Sequence, residues 1–200
     1  MLTRKAERGF NMVEAMVTVA VLALLIALMV PNISEWLRST QVRALAEGIQ
    51  NGLQKTRMEA LRRNKAVTFW MVSPGTSSTL DNTCTLSSTA GSWIISVEDP
   101  TSKCGNDPSP TVSPMIFESF NAGASAASMT IAGLAADGTT AANSATFNGF
   151  GQSVAGGIAL INVSHSLSGA RRLRIAVSVT GSVRMCDLDV NATDARACPP

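Results

Sequence analysis

Arg8-Gly9-Phe10-Asn11-Met12-Val13-Glu14, followed by AMVTVAVLALLIALMV up to Val30 and then Pro31, is the stretch on which the fold turns. From Phe10 to Val30, 21 residues carry one charge, Glu14, and two polar side chains, Asn11 and Thr18. A helix rises ~1.5 Å per residue, so this run spans about 30 Å, the depth of a bilayer's hydrocarbon core. Arg4, Lys5 and Arg8 precede it, which predicts a cytoplasmic N-terminus and a chain that crosses once. Trp36 and Arg38 follow where an interfacial anchor would sit. A removable secretory signal fits less well, because no small-x-small cleavage site follows and Pro31 leads straight into a second helical pattern. Glu14 is the exception within the run. A carboxylate there costs about 3 kcal/mol on insertion scales. It either snorkels to the nearby interface or receives a partner charge through assembly or processing.

Beyond Pro31, apolar residues fall at Ile33, Trp36, Leu37, Leu45, Ile49, Leu53 and Leu61, in steps that mark one face of an amphipathic helix. The two helical stretches join into one rod of about 55 residues, ~80 Å long. Gly48 and Gly52 interrupt the pattern and read as points of close packing against a β domain. After residue 66, short β-branched and aromatic runs alternate with Ser/Thr/Gly/Pro/Asn loops. Strands are expected at 66–72, 92–97, 115–120, 129–134, 145–148, 158–163, 173–180 and 182–186, with Thr180-Gly181-Ser182 turning the last hairpin. The expected class is α+β. Residues 1–9 are a leader, 10–30 a transmembrane helix, 31–65 an amphipathic helix, and 66–200 an antiparallel β domain packed on it.

The whole chain has 200 residues, 46% hydrophobic and 15% charged, which argues against disorder and leaves room for one domain plus an extra element. Without residues 1–9, basic and acidic side chains balance, unlike a globally basic nucleic-acid binder. Four cysteines, Cys84, Cys104, Cys186 and Cys198, allow three pairings. Behind a crossing segment they face an oxidising space, so disulfides are expected, with the local pairs Cys84–Cys104 and Cys186–Cys198 favoured. No C-x2–4-C spacing supports a zinc site. His165 is the single histidine, and no nucleophile elbow or P-loop is present, so neither catalysis nor a metal or cofactor is expected.

The stretch from Arg8 to Pro31 resembles the start of a type IV prepilin. The resemblance implies that a prepilin peptidase cuts after Gly9 and methylates Phe10. It implies that Glu14 meets the free amine of a neighbouring subunit, or its own, when subunits pack in a filament. An unpaired carboxylate in an apolar core is costly, so such a pair favours correct register. Asn11-Met12-Val13 replaces the commoner Thr-Leu-Ile type of stretch.

A second stretch, Gln54 to Phe69, resembles the helix-to-strand passage of the GspH/FimT/FimU group of H-type pseudopilins and minor pilins. It matches A-R-x-E-A-x-R-R-N-x-x-V-T at Arg57, Glu59, Ala60, Arg62, Arg63, Asn64, Val67 and Thr68. The ending, Ser178 to Asp187, is similar to that group's G-R-x-R-x-C-D hairpin. The resemblance implies a low-abundance subunit that primes or caps a pilus or type II secretion pseudopilus. Its implied partners are other major and minor pilins or pseudopilins, the prepilin peptidase and an inner-membrane assembly platform.

Some members of that group are DNA receptors that use arginines of the G-R-x-R motif. Here Gly181-Ser182-Val183-Arg184 keeps only its second arginine. Arg171, Arg172, Arg174 and Arg184 fall on one expected hairpin, where they could grip phosphates by charge. A solvated hairpin face, or a contact to the next subunit, is the plainer alternative.

Overall fold

The computed structural model describes residues 11–75 and 79–198, and their side chains apart from those of 27–32 and 124–125. The chain divides into two compact units, 1–37 and 38–200. One α-helix, α1 (Met12–Arg63), runs from the first unit into the second. Pro31 lies within it and does not end it. In the first unit, residues 11–26 are all exposed. Among the described residues no helix is long and apolar enough to cross a membrane. The expected crossing segment, 10–30, lies partly outside them: Phe10 at one end and the side chains from 27 onward at the other.

In the second unit, α1 buries Val42, Leu45, Ala46, Ile49, Leu53, Thr56 and Ala60, which recur at helical spacing. Leu45, Ile49 and Leu53 belong to the face expected from the sequence. Ile33, Trp36, Leu37 and Leu61, placed on the same face by that pattern, are exposed. The 3.6-residue period carries Leu61 off the stripe, while the small Ala46 and Ala60 lie on it.

Among the described residues nine strands follow. A five-stranded sheet holds β1 (Val67–Ser73), β2 (Thr85–Leu86), β3 (Ser92–Ser96), β4 (Ile116–Phe120) and β6 (Ser144–Phe147), in the order β2-β1-β3-β4 with β6 also paired to β1. A four-stranded sheet holds β5 (Met129–Leu134), β7 (Leu160–His165), β8 (Leu173–Val177) and β9 (Val183–Asp187), in the order β5-β7-β8-β9. All strand pairs are antiparallel. The expected strands each have a counterpart; β2 was not foreseen, being two residues without alternation.

One core joins the buried face of α1 to the inner residues of both sheets: Phe69, Met71, Trp93 and Phe147 from the first, Ile131, Ile161, Val163 and Ile175 from the second. Gly52 makes this approach possible. A Cβ there would lie 2.8 Å from ring atoms of both Phe69 and Trp93. Gly48 faces Phe120 at 3.6 Å, ordinary contact. A second cluster on the other side of the first sheet comprises Val72, Cys84, Ile94, Cys104 and Ile116. That cover buries all five residues of β3, inside and outside alike. The Cys84–Cys104 disulfide lies in this cluster and ties residues 20 apart in the chain.

Candidate functional site

The end of α1 is built by the sequence Arg57 to Asn64. Glu59 pairs with Arg62 at 2.9 Å and with Arg63 at 2.8 Å, one turn on. Burial raises the Glu59 carboxyl, but the two guanidiniums outweigh it and hold its pKa below the ordinary value. Arg63 also lies over the Phe117 ring, 3.9 Å from its centroid. Ala60 is fully buried. Asn64 adopts φ 48 and ends the helix. Its N–H donates to the Leu61 carbonyl and the Lys65 N–H to the Ala60 carbonyl, the paired bonds of a Schellman cap. The helix therefore stops at Arg63, two residues before the expected boundary at 65.

Arg57, one turn earlier, reaches two loops. Its Nε–H donates to the Gly151 carbonyl at 3.0 Å and its Nη2 to the Thr180 carbonyl at 3.5 Å. Gly151 lies in the turn 148–152 and Thr180 in the turn joining β8 to β9. Gly181 sits directly against the Gly151 carbonyl, where a Cβ would overlap it. Its φ of 79° is a further reason for glycine there. The last hairpin turn is longer than expected, because β8 ends at Val177 and the Ser178 and Gly181 bonds shape residues 178–182.

Of the four candidate DNA-contacting arginines, two stand beside carboxylates. Arg172 pairs with Asp189 at 2.6 Å and its backbone N–H donates to the same carboxylate. The Arg172 hydrogen bond holds Asp189 below its usual carboxylate value. Arg171 lies 3.8 Å from Asp187, which is buried. Arg174 donates to Asn162 Oδ1 at 2.8 Å. Arg184 is exposed and makes no ion pair among the described residues. Register places Arg174 opposite Cys186 and Arg184 opposite Ala176, so these two share the outer face of the sheet. The nearby Cys186–Cys198 disulfide returns the tail to β9, where the Asp187 N–H donates to the Arg196 carbonyl. Arg196 pairs with Asp194 and pulls its pKa down to about 2.

Glu14 is exposed in the first turn of α1. Gly9 and Phe10 lie outside the described residues, and Pro31 is described by its backbone alone. Among the described residues no cluster of His, Cys, Asp or Glu is placed to hold a metal ion.

Residues 45–181 match the family model described as Type II transport protein GspH. The chain belongs to the GspH family. The matched range contains both sides of the Arg57 contact, and it ends before Arg184 and the C-terminal disulfide. Two crystal structures of the type IV minor pilin FimU from Pseudomonas aeruginosa are similar at low level. They are 13% and 14% identical, with TM-scores of 0.45 and 0.44. They cover 72% and 73% of this chain and 90% and 88% of their own. No curated protein matches.

The strand expected over 173–180 takes in Val179, and Phe150 has no expected role. Both side chains stand exposed, each one residue before a carbonyl that Arg57 bonds. An aromatic between two glycines was the available signal.

Proposed function

We propose that this chain is a minor pilin or pseudopilin, a low-abundance subunit that primes or caps a type IV pilus-like filament and performs no catalysis. What supports the reading is one arrangement: the GspH match begins at residue 45, inside α1, and the sequence ahead of it carries Gly9-Phe10, then Glu14, then an apolar run to Pro31. In this reading a prepilin peptidase removes residues 1–9 and methylates Phe10. The segment 10–30 anchors the subunit in the inner membrane, with the β domain on the periplasmic side, until an assembly platform extracts it. Glu14 then registers the helix against other pilins or pseudopilins, and burial of apolar helix surface holds the filament together. The family description, a type II transport protein, supports the pseudopilus arm.

The test is a clean deletion with complementation, scored for surface pili and for export of folded enzymes. Loss of pili assigns the subunit to a pilus. Loss of export with pili intact assigns it to a secretion pseudopilus. If pili and export both persist in the deletion strain, the reading is refuted.

A second reading, DNA binding during uptake, draws on Arg184, exposed and outside any described ion pair, with Arg174 on the same face. The carboxylates beside Arg171 and Arg172 count against it. Salt-dependent DNA binding by the full chain in detergent, weakened by Arg184→Ala, would support it.

A further inference from the structure

We propose that Phe150, Arg57 and Val179 form a docking site for a carboxylate set among apolar side chains on a partner protein. Phe150 is 80% and Val179 81% exposed, the highest values of any large apolar side chain among the described residues. Neither sits on a loose loop. The Asn148 side-chain oxygen accepts the N–H groups of Phe150 and Gln152, and the Gly151 N–H donates to the Asn148 carbonyl. The Ser178 hydroxyl accepts the Ser182 N–H, and the Gly181 N–H donates to the Ser178 carbonyl. Side chains carried on such fixed turns lose little freedom on binding.

Arg57 lies between the two turns and bonds a carbonyl in each. A guanidinium has five N–H donors. Two are engaged here; the others have no partner among the described residues, and neutral carbonyls do not cancel the charge. Leu61, half exposed, packs against Gly151 and widens the apolar surface. Each exposed apolar residue thus stands one residue before a carbonyl that Arg57 bonds, Phe150 before Gly151 and Val179 before Thr180. The complement of such a surface is a carboxylate, which an arginine holds through paired bonds, flanked by apolar side chains. A protein segment that sets a carboxylate between apolar side chains matches the charge and both apolar residues at once; a nucleic-acid single strand, with a phosphate on Arg57 and a base on Phe150, is the outcome of the test that would overturn it. The inference stands on this geometry, independently of the filament reading.

The test places a benzophenone-bearing amino acid at Phe150, and separately at Val179, in the full chain made in cells, and maps the photoadducts by mass spectrometry. Both positions are expected to join one partner protein close to an Asp or Glu with apolar neighbours. Phe150→Ser, with the photoprobe at Val179, is expected to cut the yield about tenfold, the loss that accompanies removal of a hot-spot side chain. The melting temperature should not change, because Phe150 is exposed. Adducts only with this chain, with lipid or with DNA overturn the proposal. So does a partner segment without a carboxylate, the absence of adducts, or a yield that Phe150→Ser leaves intact. If pili or export remain normal while the adducts fail, the docking site falls and the subunit reading stands.

Discussion

Arg57 donates its Nε–H to the Gly151 carbonyl at 3.0 Å, joining residues 94 apart in the chain. The bond links the helix to a turn that Gly181, from the last hairpin, also touches. Three segments thus meet at one carbonyl. A β-carbon on Gly181 would overlap the Gly151 oxygen, and φ 79° disfavours any L side chain. Gly181→Ala should therefore destabilise the chain by about 3 kcal/mol in denaturant unfolding. Gly123→Ala is the control: φ is also positive, but no atom lies within 4 Å of the added carbon, so the loss should be about 1 kcal/mol.

The two helix glycines should respond with opposite signs. At Gly48 the nearest Phe120 atom is 3.6 Å from an added Cβ, so Gly48→Ala gains helix propensity and stabilises by up to about 1 kcal/mol. At Gly52 the rings of Phe69 and Trp93 stand 2.8 Å away, inside the core. Overpacking outweighs propensity there, and Gly52→Ala should cost about 1–3 kcal/mol. Equilibrium unfolding of both variants measures the contrast.

Glu59 links stability to acid. Its folded pKa lies below the ordinary 4.5, so its contribution is fully present above that value and is lost as pH falls through the folded pKa. Glu59→Gln should lower stability by about 1 kcal/mol at neutral pH, a figure kept small because Arg62 is largely exposed. The difference from the unsubstituted chain should shrink below pH 4.5. Unfolding measured across an acid series tests this; a difference that stays constant with pH removes the linkage.

What sequence shows of this fold follows from how local each signal is. Met129–Leu134 was read with its observed bounds because alternation and flanking turns are contained in six residues. Leu45, Ile49 and Leu53 were legible as a buried stripe, but Val42, Thr56 and Ala60 needed the sheets to reveal how far the face extends. The R-R-N motif carries a family resemblance in sequence and resolves into structure: two partners for Glu59 and a left-handed cap at Asn64. For the hairpin arginines, sequence shows the charge but not the contacts. Their partners, Asp187 and Asp189, come from the neighbouring strand and its exit, and no pattern along β8 announces them. The Arg57 contact was equally hidden, since it spans almost half the chain.

Asp194 offers the sharpest single-site readout. Its carboxyl accepts the Arg196 side chain at 2.7 Å and the Arg196 backbone N–H at 2.9 Å. These bonds, the side-chain one first, hold its pKa at about 2 against the usual 3.8. Carboxyl titration by NMR should place the Asp194 midpoint near that value, and Arg196→Ala should move it back toward 3.8. Because the folded pKa is depressed, the link between Asp194 and the tail is present above 3.8 and released as pH falls toward 2. The tail is held there by the Cys186–Cys198 disulfide as well, 12 residues apart. Replacing both cysteines by serine should cost about 2–3 kcal/mol and open residues 188–198 to protease. In that variant Asp194 should titrate higher only if the disulfide is what places Arg196 beside it. An unchanged midpoint near 2 would mean that the Asp194–Arg196 turn holds itself, independently of the covalent staple.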